Sequence, residues 1–179
     1  MTLARAAVRC LLVFGLAASV SSYAQNTELQ QVNDLVQRGE LDLALQHADS
    51  YVQAHPKDPR GRFTKGVVLA RQNRIDEAIA VYAQLTYDYP ELPEPYNNLA
   101  ALYASKGRYD AARDALERAV RAQPSYATAH ENLGDIYAKL AAQSYAKAIE
   151  LDSGRASAQK KLKMANELAP TAPTAPSLR

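Results

Sequence analysis

Apolar residues recur along most of this chain at intervals of three and four, and they do not alternate over any long run. Such spacing places apolar side chains on one face of an α-helix, whereas a half-buried strand alternates at every second residue. Valine and isoleucine are scattered, and alanine is frequent throughout. The pattern therefore predicts an all-α protein built from amphipathic helices.

The helical segments repeat with a constant period. Three of them close on a proline, and successive prolines are 34 residues apart, at Pro56, Pro90 and Pro124. An alanine precedes each of these prolines by twelve residues, at Ala44, Ala78 and Ala112. Proline ends a helix because it lacks an amide hydrogen and its ring clashes with the preceding turn. The repetition predicts a series of equivalent helical hairpins.

This pattern resembles the tetratricopeptide repeat, a helix–turn–helix unit of 34 residues with characteristic aromatic, small and proline positions. The third copy matches best, through Tyr96, Leu99, Ala100, Tyr103, Gly107, Tyr109, Ala112, Ala119 and Pro124. The second copy contributes Gly66, Leu69, Ala78, Tyr82 and Pro90, whereas the first is degenerate in its first helix. The resemblance implies an α-α superhelix, a solenoid whose hairpins stack because none can bury its apolar stripe alone.

The predicted solenoid contains about three and a half hairpins and a C-terminal capping helix. The tetratricopeptide domain would occupy residues 25–169, and its parts would be repeats at about 25–58, 59–92 and 93–126, a shortened fourth repeat at 127–153 and the capping helix at 155–168.

The fourth copy is too short to hold a turn between two helices. Tyr137 and Tyr145 lie eight residues apart, whereas the equivalent positions of an intact repeat lie thirteen apart. No glycine or proline stands between Ala138 and Asp152. We therefore expect one long helix from Ser125 to about Asp152, or the same helix with a tight kink near Ala142.

Both ends of the chain differ in composition from the repeats. Residues 1–24 resemble a secretory signal, with Arg5 and Arg9 before the apolar run Cys10–Val20 and small residues before a cleavage site that follows Ala24. The run is too short to span a bilayer, so no integral membrane segment would remain after cleavage. The sequence thus predicts a small bacterial protein exported to the periplasm or secreted. Residues 170–179, rich in proline, alanine and threonine, are predicted to be a disordered tail.

Charge and candidate chemistry argue against several classes of function. Without Arg5 and Arg9 the chain has 19 basic and 19 acidic residues, which gives no electrostatic reason to expect nucleic acid as a partner. His130 and Glu131 begin like a zinc-protease helix, but Gly134 stands where the second histidine is needed. The mature chain has no cysteine, no nucleophile elbow and no glycine-rich phosphate loop. The sequence predicts no catalytic residue, metal or cofactor, and the protein is not expected to be an enzyme.

The resemblance implies a partner-binding groove on the concave face, which the first helix of each hairpin lines. The positions that it assigns to the groove are Phe63, Val67, Arg71, Asn97, Asn98, Ala101, Glu131, Asn132, Asp135 and Lys139. Asparagine can donate to and accept from the backbone of an extended peptide, but Asn98 and Asn132 are also common repeat residues, and both interpretations stand.

A clamp for a terminal carboxylate, which some members of the family use, is disfavoured by this sequence. Such a clamp needs lysine and arginine at groove positions, and the corresponding places hold Leu29, Thr64, Glu94 and Asn98, or Phe63, Asn98, Thr128 and Asn132, depending on register. Only Asn33 fits a minor position of the clamp.

The sequence therefore predicts a non-catalytic adaptor that binds a protein or an extended peptide. The alternative is a self-associating structural or assembly factor of an envelope complex, in cell-wall, pilus or cytochrome biogenesis. In that case the long helix would form a homodimer seam around Tyr126, Ala141 and Tyr145.

Overall fold

The computed structural model describes residues 27–169, so the predicted signal and the predicted tail lie outside the described residues. Helices α1 to α8 span residues 27–38, Leu41–Ala54, Pro59–Arg71, Ile75–Asp88, Pro93–Ser105, Tyr109–Ala122, Ala127–Leu151 and Ala156–Leu168. No strand occurs between residues 27 and 169. The predicted all-α solenoid is confirmed. None of the helices in this range has both the length and the apolar character to cross a bilayer.

The turn inside each of the first three hairpins contains one residue in the left-handed region. These residues lie 34 apart and have positive φ angles of 77°, 59° and 70°, at Gly39, Asn73 and Gly107. Glycine and asparagine are the residues that adopt this conformation most readily. The equivalent position of the fourth copy is Ala141, which lies within α7.

The fourth copy forms one uninterrupted helix, as the first of the two sequence-based alternatives predicts. Helix α7 runs for 25 residues from Ala127 to Leu151, about 37 Å at 1.5 Å per residue. With five residues absent and no left-handed residue available, the chain has no means of reversing its direction there.

The prolines end the second helix of each hairpin at the predicted places. Helices α2, α4 and α6 each stop two residues before a proline, at Ala54, Asp88 and Ala122. Pro59 and Pro93 open α3 and α5, where the missing amide hydrogen costs nothing because first-turn amides have no partner within the helix.

Small residues allow the two helices of a hairpin to approach closely. Ala44, Ala78 and Ala112 are completely buried. A Cβ atom placed on Gly66 would lie 2.7 Å from the Cζ atom of Tyr82, so only glycine leaves room for that ring. Such contacts build three hydrophobic clusters that follow one another along the stack of hairpins.

The last two helices form a hairpin at one end of the stack. Helix α8 packs against α7 and makes no comparable contact with another described helix. Ala158 and Ala165 are buried against α7 as expected. The outer side is not purely polar, however, because Leu151 and Leu168 are 76% and 74% exposed. The predicted capping helix is therefore present, but it leaves apolar side chains exposed at the end of the stack.

Candidate functional site

The first helices of successive hairpins, α1, α3, α5 and α7, bring residues 34 positions apart into rows across one face. One row consists of Leu29, Phe63, Asn97 and Glu131, and the next consists of Asn33, Val67, Ala101 and Asp135. In the first row the side chains are apolar on α1 and α3, an amide on α5 and a carboxylate on α7. The face therefore has two chemically different halves.

A pocket of about 570 Å³ lies in the apolar half, between α1, α3 and α5. Its volume falls within the range of about 300–1,000 Å³ that is usual for ligand sites. It is lined by Leu29, Gln30, Asn33, Pro59, Arg60, Phe63, Thr64, Leu85, Leu92, Glu94 and Pro95. Aliphatic, aromatic and proline side chains make up most of this lining, so the pocket suits an apolar side chain.

One residue of the pocket lining has a buried polar atom without a hydrogen-bond partner. The Oδ1 atom of Asn33 is buried and accepts no hydrogen bond from any residue between 27 and 169. Leaving a buried acceptor unsatisfied costs about 1–3 kcal/mol, and most buried polar atoms are therefore paired. A donor brought in by a bound molecule would remove this penalty.

Asn98 belongs to the packing of the solenoid. It is 2% exposed, and its Nδ2 donates to the hydroxyl oxygen of Tyr82 at 3.0 Å. The hydroxyl of Tyr82 in turn donates to the carbonyl oxygen of Phe63 at 3.3 Å, and the two rings meet edge to face at 5.7 Å. Burial raises the pKa of Tyr82, because the charged phenolate would be poorly solvated there. Of the two interpretations of Asn98, the structure supports the structural one.

Asn97 and Asn132 join neighbouring hairpins. The Nδ2 of Asn132 donates to the Oδ1 of Asn97 at 2.7 Å, between α7 and α5. Asn97 is buried, whereas Asn132 is partly exposed. Of these two amides, only the one on α7 remains partly accessible to a partner.

The structure corrects the sequence-based assignment of Val67. This residue is 0% exposed and belongs to the core cluster that includes Tyr82 and Leu99. Because side chains of α4 and α5 pack around it, Val67 does not line the groove. Phe63 and Ala101 keep partial exposure, and Arg71 is exposed at the end of α3.

The α7 half of the face carries negative charge. Glu131 is exposed and Asp135 is partly exposed, one helical turn further along. Burial raises the pKa of Asp135, and the neighbouring charge of Glu131 raises it further, whereas Lys139 lowers it. The carboxylate of Asp135 is thus held in a site that disfavours its charge.

His130 has a structural explanation. Its Nε2 lies 2.9 Å from the carbonyl oxygen of Pro124, in the turn that precedes α7. Within residues 27–169, no group of three histidine, cysteine, aspartate or glutamate side chains is arranged to hold a metal ion.

Sequence reasoning missed most of the pocket. Thr64 and Glu94 entered only as positions at which a carboxylate clamp lacks its cations, and Asn33 only as a residue that fits a minor position of that clamp. Leu92 and Pro95 were not considered. The 34-residue rows could have placed Asn33 opposite Val67, but no sequence pattern predicts that its oxygen is buried without a donor.

Comparisons with known proteins agree with the architecture. A family model described as "Tetratricopeptide repeat" matches residues 29–93, and another described as "TPR repeat" matches residues 101–140. Over 99 residues the chain is 33% identical to the human protein O-mannosyl-transferase TMTC1, a match that covers 53% of this chain and 11% of that protein. The chain spans between 10% and 37% of the length of the curated relatives that it matches.

Two solved structures illustrate the likeness in three dimensions. YrrB, described as a TPR protein with an unusual peptide-binding site, has a TM-score of 0.53 at 27% identity, over 59% of this chain and 54% of that one. TTC0263, a thermophilic TPR protein of Thermus thermophilus, has a TM-score of 0.59 at 21% identity, over 80% and 81% of the two chains, and shows the fold alone. With two family matches and the observed stack of hairpins, the chain belongs to the tetratricopeptide repeat family, whose repeats mediate protein–protein interaction.

Proposed function

We propose that this protein is a non-catalytic adaptor of the bacterial periplasm or exterior, and that it binds an extended segment of another protein on its concave face. The observation that carries the proposal is the pocket between α1, α3 and α5, with the unpartnered Oδ1 of Asn33 in its lining. An extended peptide supplies both things that this pocket lacks, namely an apolar side chain and a backbone N–H donor.

The groove is tested by filling the pocket. Asn33→Trp places a large ring at the lining without removing a residue of the hydrophobic clusters. Gln46→Trp is the matched control, because it makes the same kind of change at an exposed position of α2, a second helix that contributes no residue to the pocket. Both proteins are immobilised and used for affinity capture from the envelope fraction, beside the unchanged chain.

The expected result is a set of proteins retained by the unchanged chain and by Gln46→Trp but lost with Asn33→Trp. Substitution of Phe63 or Asn98 is avoided, because both contact Tyr82 and their loss would disturb the fold. Equal capture by all three proteins, with equal melting temperatures, would exclude this pocket as the binding site.

Export is tested separately. The proposed leader predicts that the protein recovered from the periplasm or the medium begins at Gln25. N-terminal sequencing of the recovered chain checks this. A full-length chain confined to the cytoplasmic fraction would refute export and leave the binding proposal standing.

Self-association is the second candidate, because large apolar side chains are exposed at the α7–α8 end of the stack. Leu151, Met164 and Leu168 are all more than half exposed there. Tyr126, Ala141 and Tyr145, which sequence reasoning placed in a dimer seam, are each partly covered. The apolar surface is therefore displaced toward α8, and a second copy would contact the protein there.

Light scattering at micromolar concentration distinguishes the two candidates. A homodimer that dissociates in Leu151→Ser/Leu168→Ser, with unchanged helix content, would support an assembly factor of an envelope complex. A monomer at every concentration would refute the seam.

A further inference from the structure

Almost every carboxylate in the described part of the chain has a side-chain partner, and the exceptions are not randomly placed. Asp and Glu residues of α2, α4 and α6, together with Glu40 and Asp58 in the turns, form salt bridges or hydrogen bonds. So do those of α1, of the second half of α7 and of α8. Within residues 27–169 the carboxylates that have neither are Glu91, Glu94, Glu131 and Asp135. Three of these four lie on first helices, at groove positions.

These three carboxylates lie on the two helices that the Asn97–Asn132 hydrogen bond joins. Glu94 lies one turn before Asn97 on α5, and on α7 Glu131 precedes Asn132 directly. Asp135 follows one turn later, and its pKa is raised by burial and by Glu131. Glu131 and Asp135 therefore form an acidic pair on α7, and Glu94 lies on α5, the helix to which the asparagine bond joins α7.

One of the three carboxylates also belongs to the lining of the apolar pocket. Glu94 lines the pocket and also acts on Tyr126, which precedes α7 and whose pKa is raised by burial and then by that charge. Arg60, the cation of the pocket lining, is engaged by Asp58 through several hydrogen bonds. Lys139 opposes only part of the negative charge, one turn beyond Asp135.

We propose that the partner is a basic extended segment: an apolar side chain enters the pocket lined by Phe63, and a lysine or arginine lies over Glu94, Glu131 and Asp135. This inference rests on the proposed peptide-binding function and adds the chemistry of the peptide. Charge complementarity carries it, because a cation would supply the partner that these three carboxylates lack.

The geometry also sets the spacing of the two features. Neighbouring helix axes are about 8–10 Å apart, and an extended chain advances about 3.3 Å per residue. Glu94 lies in the pocket lining itself, whereas Glu131 and Asp135 lie on α7, the next first helix after α5. The basic residue therefore lies about three to six residues from the apolar one.

Selection from a random peptide library tests the inference without knowledge of the natural partner. Displayed peptides of about twelve residues are long enough to cross the face at roughly 3.3 Å per residue. They are selected on the unchanged chain at low salt, and the bound pool is then measured on variants. Glu131→Gln/Asp135→Asn removes two groove charges. Asp110→Asn/Asp114→Asn is the control, with the same charge change at the same spacing on α6, a second helix.

The expected pool carries an apolar residue three to six positions from a lysine or arginine. Its affinity falls about three- to tenfold on Glu131→Gln/Asp135→Asn and is unchanged on the α6 control, because exposed ion pairs contribute modestly and additively. The difference shrinks as salt is raised, since screening weakens exposed charge pairs.

The outcomes separate the inference from the function on which it rests. If the selected peptides do not bind Asn33→Trp but are neutral or acidic, the proposal of a basic partner is refuted and peptide binding in the pocket stands. A basic pool that binds both double variants equally also overturns the basic partner. A pool indifferent to Asn33→Trp, or no enriched pool at all, overturns peptide binding in this pocket together with the inference.

Discussion

Two glycines at equivalent repeat positions should respond oppositely to the same substitution. Gly66 and Gly134 are 68 residues apart, two repeat lengths. At Gly66 a Cβ atom would lie 2.7 Å and 2.9 Å from ring atoms of Tyr82, closer than the 3.4 Å at which ordinary contact begins. At Gly134 no atom outside its chain neighbours and the adjacent backbone of α7 lies within 4 Å of such a Cβ, because the second helix that would cover it is absent from the fourth repeat.

The magnitudes follow from two opposing effects. Alanine is favoured over glycine inside a helix by about 1 kcal/mol. Overpacking a buried site costs about 1–3 kcal/mol, and Tyr82 cannot yield easily because it is completely buried. Gly134→Ala should therefore stabilise the protein by about 1 kcal/mol, whereas Gly66→Ala should destabilise it by up to about 2 kcal/mol. For a chain of this size, melting temperatures move by about 2–4 °C per kcal/mol.

The chain itself provides a compensating substitution. In the third repeat the equivalent pair is Ala100 and Leu116, and both are buried in one cluster. The free energy of unfolding of Gly66→Ala/Tyr82→Leu should therefore exceed the value expected from adding the two single changes by about 1 kcal/mol or more. Thermal and urea unfolding followed by circular dichroism measures all four variants. If both alanine substitutions shift stability in the same direction, or if the double variant is strictly additive, the packing argument is wrong.

Three further substitutions test groups that are paired or unpaired in the folded protein. Burial raises the pKa of Asp58, but hydrogen bonds from Arg60 outweigh this and lower the pKa to about 2. The ionised carboxylate of Asp58 therefore contributes about 2 kcal/mol to the free energy of unfolding, fully above pH 4 and progressively less as the pH falls toward 2. The stability of Asp58→Asn should consequently fall less steeply with acid than that of the unchanged chain. Asn33→Leu should raise stability by about 1 kcal/mol, because an unsatisfied buried oxygen is removed, and a lower melting temperature would show that the oxygen has a donor. Asp135→Asn should raise the melting temperature by about 1–2 °C at neutral pH, since like charges four residues apart on a helix repel by a few tenths of a kcal/mol. An unchanged melting temperature at low salt would contradict the raised pKa of Asp135 beside Glu131.

The stability gains expected at Asn33 and Asp135 bear on function. Both side chains are unfavourable for the folded chain alone, and both lie at groove positions. Groups that weaken the isolated protein are typical of sites that gain a partner on binding. We therefore expect the variants that raise stability at these two positions to lose peptide affinity.

The amino-acid sequence by itself determined the repeat architecture, because the features that define it act locally. The three- and four-residue spacing selects helices, the prolines at 34-residue intervals end them, and the absence of a turn residue at Ala141 produces the single long helix α7. Each of these effects involves residues a few positions apart, so a sequence pattern suffices to predict it.

The tertiary structure alone decided which groove positions are available. Val67 and Ala101 occupy the same place in successive repeats, yet the first is fully buried and the second is partly exposed. The unsatisfied oxygen of Asn33 likewise depends on which side chains of other helices surround it. Burial and hydrogen-bond pairing are set by neighbours on other helices, such as Tyr82 and Leu99 around Val67. For that reason a local pattern determines the helices but not the chemistry of the face that they build.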